Sequence, residues 1–213
     1  GGMQATARRA GNGAYLLNGN KTFITNGPYA DTIVFICKLD DGEATNRRDR
    51  KILSFILDKG MPGLTQSKPL RKMGMHSSPT GELFLDDVRV GIDRLIGETE
   101  NPPAGGREGA KATFMMERSG VAAMALGMIE GCLDISVEYA KNRVQFGQPI
   151  GDFQLIQDKL ARMEVARLNV ENLVFRTIEL SAAGKSMTLA EASAMKLYSA
   201  RAATEVALEA VQV

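Results

Sequence analysis

The first hundred residues carry short apolar runs separated by breaks rich in glycine and proline, a pattern typical of β-strands and turns. Thr32–Lys38 and Ile52–Leu57 are continuous β-branched and aromatic runs. Leu83 and Leu85 alternate with polar and aromatic neighbours, which indicates a strand with two different faces. Strands at this spacing predict an antiparallel β-sandwich or barrel of about seven strands.

One short segment predicts a β-hairpin. Asn18-Gly19 lies between two strand-like runs within Tyr15–Ile24, and both central residues of a two-residue hairpin turn must accept positive φ. Thr25–Gly27 then closes the second arm of this hairpin. Turn chemistry explains Thr25–Gly27 and the proline that follows it, and a ligand contact is the alternative interpretation.

The second half of the chain changes to a helical pattern. Sixteen of the 22 glycines and six of the seven prolines lie in residues 1–110, whereas the rest is rich in strong helix formers. The pattern predicts three helices, over about 107–142, over about 152–183, and from Thr188 to the end. Gly184 suits the position after the second helix, and Thr188-Leu189-Ala190-Glu191 fits a capping box. Long helices with short loops favour antiparallel neighbours in a bundle.

These halves predict an α+β, multi-domain chain. We expect an antiparallel β-sandwich or barrel domain over residues 1–100 and an antiparallel helical bundle domain over residues 101–213. Asn101–Gly106, at the change of composition, is typical of a linker or loop. The charged Asp40–Lys51 segment favours a solvated loop over a nucleic-acid patch containing Arg47 and Arg48.

Charge and composition narrow the function. A net charge of +1 gives no general reason to expect nucleic acid as a partner. Cys37 and Cys132 have no second Cys or His at ligand spacing, so we expect reduced thiols and no metal site. No apolar run reaches a bilayer-spanning length and no targeting segment is visible, so a soluble protein without a membrane span is expected. The one histidine, His76, is expected to be a loop residue rather than a catalyst.

One carboxylate lies in an apolar helix. Ala112–Ile129 is apolar except for Glu117 and Arg118, and a helix apolar on every side is expected to be buried. At helical spacing Glu117 shares a stripe with Phe114, Val121, Met124 and Met128. Desolvation raises the pKa of such a carboxylate, which suits a general base near neutral pH. The alternative is a buried structural carboxylate paired with an arginine from another helix.

The segment Arg143–Ile150, after the first long helix, also has two interpretations. Arg143 offers a bidentate fork to a phosphate or cofactor. Alternatively, Arg143 complements the helix dipole, and Phe146 and Gly147 form only a turn with an apolar plug.

Taken together, several segments resemble the acyl-CoA dehydrogenase family of flavoenzymes. Their order and spacing cover nearly the whole chain: Asn18–Gly27, Lys72–Thr80, Leu83–Val90, Glu117-Arg118, Arg143–Ile150, Phe153–Gln157 and Ala210–Gln212. The resemblance implies the family's middle β-domain, followed by most of its C-terminal four-helix domain. By the same resemblance, we expect the family's N-terminal helical domain and the segment after Gln212 to lie outside this sequence.

The resemblance also implies an activity in fatty acid and lipid metabolism. Family members bind FAD non-covalently and form homodimers or homotetramers. They oxidise an acyl-CoA thioester to the trans-2-enoyl-CoA: a carboxylate removes the α-proton while the β-hydrogen leaves as hydride to flavin N5. Electrons usually pass to electron-transferring flavoprotein. Such an enzyme is expected in the bacterial cytoplasm or the mitochondrial matrix.

The resemblance assigns site residues by position. Phe23 and Thr25 match residues beside the flavin ring, and Arg118 matches an arginine near the CoA-binding region. Further FAD contacts, several of them to the FAD of a neighbouring subunit, are expected from Arg143, Gln145, Phe146, Gln154 and Gln212. Phe23 stands where many members have tryptophan, so weaker flavin stacking is expected.

The position of the base stays open at this point. In the branch resembling isovaleryl-CoA and long-chain enzymes, the base lies in a Glu-Arg pair like Glu117-Arg118; in most members it lies beyond the position of Val213. Two alternatives to a dehydrogenase also stay open. One is a flavin oxidase of the same fold, of the acyl-CoA or nitroalkane type, and the other is a non-catalytic assembly protein.

Overall fold

The computed structural model describes residues 3–42, 49–101 and 106–213, with the side chains of the first long helix described from residue 113. The chain divides into two compact units, Gly1–Gly109, here called the β unit, and Ala110–Val213, here called the helical unit. Two sequence-based expectations lie partly outside the described residues: the basic part of the loop at 43–48 and the linker at 102–105.

The β unit contains one six-stranded sheet in the order β4-β3-β1-β2-β6-β5. Its strands are β1 Thr6–Arg9, β2 Tyr15–Thr25, β3 Thr32–Leu39, β4 Ile52–Asp58, β5 Leu64–Gln66 and β6 Thr80–Val90. The strands predicted near residues 32–38 and 52–57 are confirmed. The sheet is mixed rather than antiparallel throughout, because β1 pairs with β3 in parallel. The described residues form six strands in this sheet, where about seven were expected.

The hairpin predicted at Asn18-Gly19 is wrong. Both residues lie inside the continuous strand β2, which pairs with β1 on one side and β6 on the other. Gly19 allows close approach to the residue just before β1, because a Cβ there would lie 2.8 Å from the Cα of Ala5. The Asn18 amide donates to an Asp87 carboxylate oxygen at 2.7 Å, and its oxygen accepts from the Asp87 N–H at 3.0 Å. Pairing on both edges therefore outweighs the local turn preference.

Alternate residues of the strands build the core of the β unit. Phe35, Phe55 and Leu17 are almost completely buried. The rings of Tyr15 and Phe55 meet edge to face, with centroids 5.1 Å apart. This period of two separates a buried from a more exposed face on β3, β4 and β6, as the alternation around Leu83 predicted.

A charged network ties the end of the β unit to its first strands. The guanidinium of Arg9 donates to both carboxylate oxygens of Glu100, at 2.9 and 2.6 Å, and the Tyr15 hydroxyl donates to Glu100 at 2.8 Å. The hydrogen bond from Arg9, reinforced by that from Tyr15, lowers the pKa of Glu100 from 4.5 to about 2. Burial and the Glu100 bond raise the pKa of Tyr15 to about 12.

We expect the acid stability of the β unit to depend on Glu100. The unfolded chain binds this proton near pH 4.5 and the folded chain only near pH 2, so the stabilisation is complete above 4.5 and is lost as the pH falls towards 2. Glu100→Gln should flatten this part of the stability curve in urea unfolding measured across the acid range. The exposed Glu98 provides the control Glu98→Gln, which should keep the parent's acid slope. An unchanged slope in Glu100→Gln would contradict the assignment.

The helical unit follows the predicted pattern. Its elements are α1 Gly106–Asn142, whose first turn still belongs to the β unit, a short hairpin of β7 Val144–Gln145 and β8 Gln148–Pro149, α2 Gln154–Ala182 and α3 Leu189–Gln212. The expected fold class, an α+β chain with a sheet followed by helices, is confirmed.

Local signals define the connection between α2 and α3. Gly184 has a φ of 67°, its N–H donates to the carbonyl of Ser181, and the N–H of Lys185 donates to that of Leu180. These are the two hydrogen bonds of a Schellman motif. Thr188 and Glu191 form the predicted capping box at the start of α3. The predicted helix end and helix start are therefore both confirmed.

Helix α1 is not buried on every side, contrary to the sequence-based expectation. Within the helical unit, Ile129 of α1 packs against Met163 and Val170 of α2 and Ala202 of α3. The opposite face of α1 is exposed because the described helices cover one side only. Thr113–Asn142 is also long and apolar enough to cross a membrane by length and composition, so the expectation that no apolar run reaches that length is wrong. Core helices of soluble proteins also reach this length and apolar composition.

Candidate active site

The ladder between β2 and β6 is interrupted near the end of β2. Lys21 lies opposite Leu83, but the next pair is Ile24 with Gly81. Two residues of β2 therefore lie opposite the single residue Glu82, which is a β-bulge. A bulge bends its strand and changes the direction of its side chains, and bulges are over-represented next to active sites.

Phe23 lies in this bulge and has an unusual backbone conformation. Its φ is 60°, and its side chain is 75% exposed. For an aromatic residue this conformation costs about 1–3 kcal/mol and persists only where surrounding structure enforces it. Thr25, the last residue of β2, is also exposed. The bulge thus presents an aromatic ring and a hydroxyl group near one end of the strand.

The turn that follows β2 is fixed by hydrogen bonds from two sides. The N–H of Asn26 donates to the carbonyl of Pro79 at 2.8 Å. The Gln66 amide donates to the carbonyls of Gly27 and Ala30, at 2.7 and 2.9 Å. The turn expected at this end of the strand is confirmed, and it is rigidly attached to β5 and to the segment before β6.

The segment between β5 and β6 contains an exposed loop. Lys72 Nζ donates to the carbonyl of Ser78 at 2.6 Å and to the hydroxyl of Thr80 at 3.2 Å, which closes the loop at its base. Met73 and His76 lie exposed between these ends. His76 is a loop residue, as expected.

The hairpin after α1 presents another group of predicted site residues. Its two-residue turn consists of Phe146 and Gly147, with φ values of 54° and 86°. Both central residues of a type I′ hairpin turn require positive φ. Phe146 is 93% exposed, so it is no buried plug within the helical unit, and its ring meets that of Phe153 at right angles. Arg143 and Gln145 are also exposed. The hairpin therefore carries a cation, an amide and an aromatic ring.

Glu117 does not have the apolar burial that its sequence setting predicted. Its side chain is exposed, and so are Phe114, Met124 and Met128 on the same stripe of α1. The two interpretations of Glu117 from the sequence, a desolvated base and a structural ion pair, both expected a buried carboxylate. That expected burial is wrong. The stripe that contains Glu117 is instead an exposed apolar surface with one carboxylate. Its neighbour in sequence, Arg118, is half-buried.

The two predicted glutamines lie at helix ends. Gln154 is the first residue of α2 and Gln212 the last residue of α3, and both are exposed. Gln212 also lines a cleft of about 650 Å³ between α1 and α3, together with Ser136 and Tyr139. Arg143, Gln145, Phe146 and Gln154 lie close along the chain around one hairpin, whereas Gln212 lies at the end of another helix.

Two family models match this chain. The model described as acyl-CoA dehydrogenase, middle domain, matches residues 1–88, and the model described as acyl-CoA dehydrogenase, C-terminal domain, matches residues 104–213. The chain belongs to the acyl-CoA dehydrogenase family. Its sheet corresponds to the family's middle domain and its helices to the C-terminal domain.

Relatives of known identity match this chain over all or nearly all of its length. The short-chain specific acyl-CoA dehydrogenase of Megasphaera elsdenii is 39% identical over 212 residues, which are 100% of this chain and 53% of that protein. The structure of a glutaryl-CoA dehydrogenase from Mycobacterium smegmatis in complex with FADH2 has a TM-score of 0.87 at 30% identity, covering 99% of this chain and 50% of that one. The prolyl acyl carrier protein oxidase AnaB has a TM-score of 0.84 at 31% identity, covering 99% and 53%. The chain thus spans about half the length of these relatives.

Acyl-CoA dehydrogenases are FAD flavoproteins, so FAD is the cofactor that this family membership brings. The exposed side chains of this acyl-CoA dehydrogenase family member fit parts of that cofactor. An aromatic ring beside a hydroxyl, as at Phe23 and Thr25, suits a flavin ring. An exposed guanidinium, as at Arg143, suits a diphosphate.

Sequence reasoning missed Glu82, the residue opposite the bulge. The Thr22 hydroxyl donates to a Glu82 carboxylate oxygen at 2.9 Å. The alternation around Leu83 and Leu85 identifies a strand, but it does not show that the strand partner has an extra residue. The extra residue becomes visible only in the register of β2 against β6, two strands whose paired residues here lie about 60 positions apart in sequence.

Proposed function

We propose that this chain forms the flavin-binding β-domain and part of the helical domain of an FAD-dependent acyl-CoA dehydrogenase, which oxidises an acyl-CoA thioester to its trans-2-enoyl product. The bulge at Phe23 carries this proposal. An aromatic residue held exposed in a strained conformation, beside an exposed threonine, is explained by contact with a planar ligand. The family match over both units supports the same activity.

Each predicted residue has a role in this proposal. Bound FAD supplies an acceptor for two electrons and the β-hydrogen. Phe23 stacks on the flavin ring, and the Thr25 hydroxyl donates a hydrogen bond at its edge. The remaining contacts to FAD, made in part to the FAD of a second subunit, come from Arg143, Gln145, Phe146, Gln154 and Gln212.

Glu117 is the proposed general base. It lies in the first half of α1, on an apolar stripe on which Phe114, Met124 and Met128 are exposed. Covering this stripe with an acyl chain removes water from around the carboxylate, which then accepts the α-proton on a carboxylate oxygen. Arg118, adjacent in sequence, binds the CoA moiety as a cation.

Flavin reduction tests this function directly. Under anaerobic conditions, we expect a panel of acyl-CoA thioesters to bleach the flavin absorbance of the protein, and the length preference of the panel identifies the substrate class. An acyl-CoA that binds without a possible β-hydrogen transfer, such as one branched fully at Cβ, serves as the control and should leave the absorbance unchanged. Bleaching by no member of the panel would contradict the proposal.

An oxidase of the same fold is a second candidate, because the chain is 31% identical to the prolyl acyl carrier protein oxidase AnaB across 99% of its length. Measuring hydrogen peroxide formation distinguishes an oxidase from a dehydrogenase. An oxidase re-oxidises its flavin with oxygen and forms peroxide in aerated buffer without another acceptor. A dehydrogenase requires an added acceptor, for which electron-transferring flavoprotein is the proposed partner.

The family supports three further proposals. The protein assembles as a homodimer or homotetramer, since contacts to the FAD of a second subunit require a partner copy. It works in fatty acid metabolism. Its compartment is the bacterial cytoplasm or the mitochondrial matrix, where the acyl-CoA pool and the acceptor are available.

A further inference from the structure

We propose that Glu82 is a positioning residue for Phe23. Its carboxylate accepts a hydrogen bond from Thr22 and thereby holds the bulge of β2 in the conformation that exposes the aromatic ring. The assignment of Phe23 as a flavin contact rests on the proposed function. The role of Glu82 rests on the geometry of the sheet.

The backbone of Glu82 is fixed from the side away from the bulge. Its N–H donates to the hydroxyl of Ser67 at 2.8 Å, and its carbonyl accepts from the N–H of Ser67 at 3.0 Å. Ser67 directly follows β5, so both backbone groups of Glu82 point to that neighbour. The hydrogen bond that joins Glu82 to the bulge is consequently made by side chains, from the Thr22 hydroxyl.

Close packing prevents the partner strand from moving to accommodate the bulge. A Cβ at Gly81 would lie 2.5 Å from Pro28 Cγ and 2.7 Å from Ser67 Oγ, so β6 is in direct contact with the turn after β2. Because β6 is packed against the turn after β2, neither can shift alone. A change in the register of β2 against β6 must therefore occur at Thr22 and Phe23. A shift by one residue would carry Phe23 to the other face of the strand.

The side-chain bond therefore selects between two arrangements of the same strand. With the bond formed, Phe23 keeps a φ of 60° and stays exposed. Without it, the strained residue can relax towards the extended conformation that aromatic residues prefer in strands. The oxygen that accepts this bond matters here, rather than the negative charge of Glu82.

Four substitutions separate the hydrogen bond from the charge. Glu82→Ala removes the acceptor, whereas Glu82→Gln keeps an acceptor oxygen and removes the charge. Thr22→Val removes the donor at similar volume, and Thr22→Ser keeps a hydroxyl. The chain contains no tryptophan, so Phe23→Trp introduces a reporter at the bulge itself.

In the Phe23→Trp background, Glu82→Ala and Thr22→Val should lower the fluorescence anisotropy of the tryptophan and change its quenching by acrylamide. Glu82→Gln and Thr22→Ser should match the parent. With Phe23 restored, Glu82→Ala should weaken FAD binding by up to about tenfold, the upper end of the net contribution of one ordinary hydrogen bond. Glu82→Gln should keep the parent's affinity.

Equal changes in Glu82→Ala and Glu82→Gln would overturn the inference in favour of a charge effect. Unchanged anisotropy and quenching in Glu82→Ala would overturn it as well. If Glu82→Ala fails to fold, the Thr22→Val and Thr22→Ser pair decides the same question. The tryptophan comparison requires no flavin, so a protein that binds no FAD would count against the proposed function and leave the role of Glu82 decided separately.

Discussion

Glu117→Gln should reduce turnover by about 100-fold or more while FAD stays bound, because removal of a general base costs about 10²- to 10⁴-fold. Glutamine keeps the size of the side chain but cannot accept the α-proton. The readout is the rate of flavin reduction by a good acyl-CoA in single-turnover experiments, with flavin content measured on the same sample. A fall in rate without a fall in flavin content identifies a chemical role.

The same helix offers a matched control. Glu130 is exposed on α1 and has no assigned role, so Glu130→Gln should turn over like the parent. If Glu117→Gln also keeps the parent's rate, the base lies at another position, as it does in most of the family.

Phe55→Ala should remove about 3–5 kcal/mol of the free energy of unfolding of the β unit, the usual cost of deleting a fully buried phenylalanine. Phe55 has no exposed surface, and its ring packs against that of Tyr15. Because domains are stable by only about 5–15 kcal/mol, this one change should remove much of that margin. Urea unfolding followed by circular dichroism measures the loss.

Phe84→Ala is the corresponding control on an outward-facing position. Phe84 lies on β6 and is 37% exposed, so its truncation leaves little or no cavity. Similar losses for Phe55→Ala and Phe84→Ala would show that burial in the sheet core does not determine the effect.

Local chemistry in the sequence predicted several features of the fold correctly. The strand runs at β3 and β4 depend on residue type over a few positions, and so do Gly184 at a helix end and the Thr188–Glu191 capping box. The Asn18-Gly19 prediction was wrong because the same local signal competes with pairing to β1 and β6.

In the candidate site, too, some features were predicted correctly from the sequence and others depended on the tertiary structure. Family resemblance supplied Phe23, Thr25 and the hairpin around Phe146, and the structure shows each of them exposed. The pattern around Glu117 indicated a buried carboxylate, yet burial depends on which neighbouring elements cover the helix, and the described helices cover its other side.

By itself the sequence determined the change from strands to helices, the approximate ends of the helices and the family, because composition, caps and motifs act over short distances or are read position by position. The tertiary structure alone decided the register of β2 against β6, and with it the bulge, the strained Phe23 and the hydrogen bond from Thr22 to Glu82. Register depends on contacts between residues far apart in the chain, so no local pattern contains it.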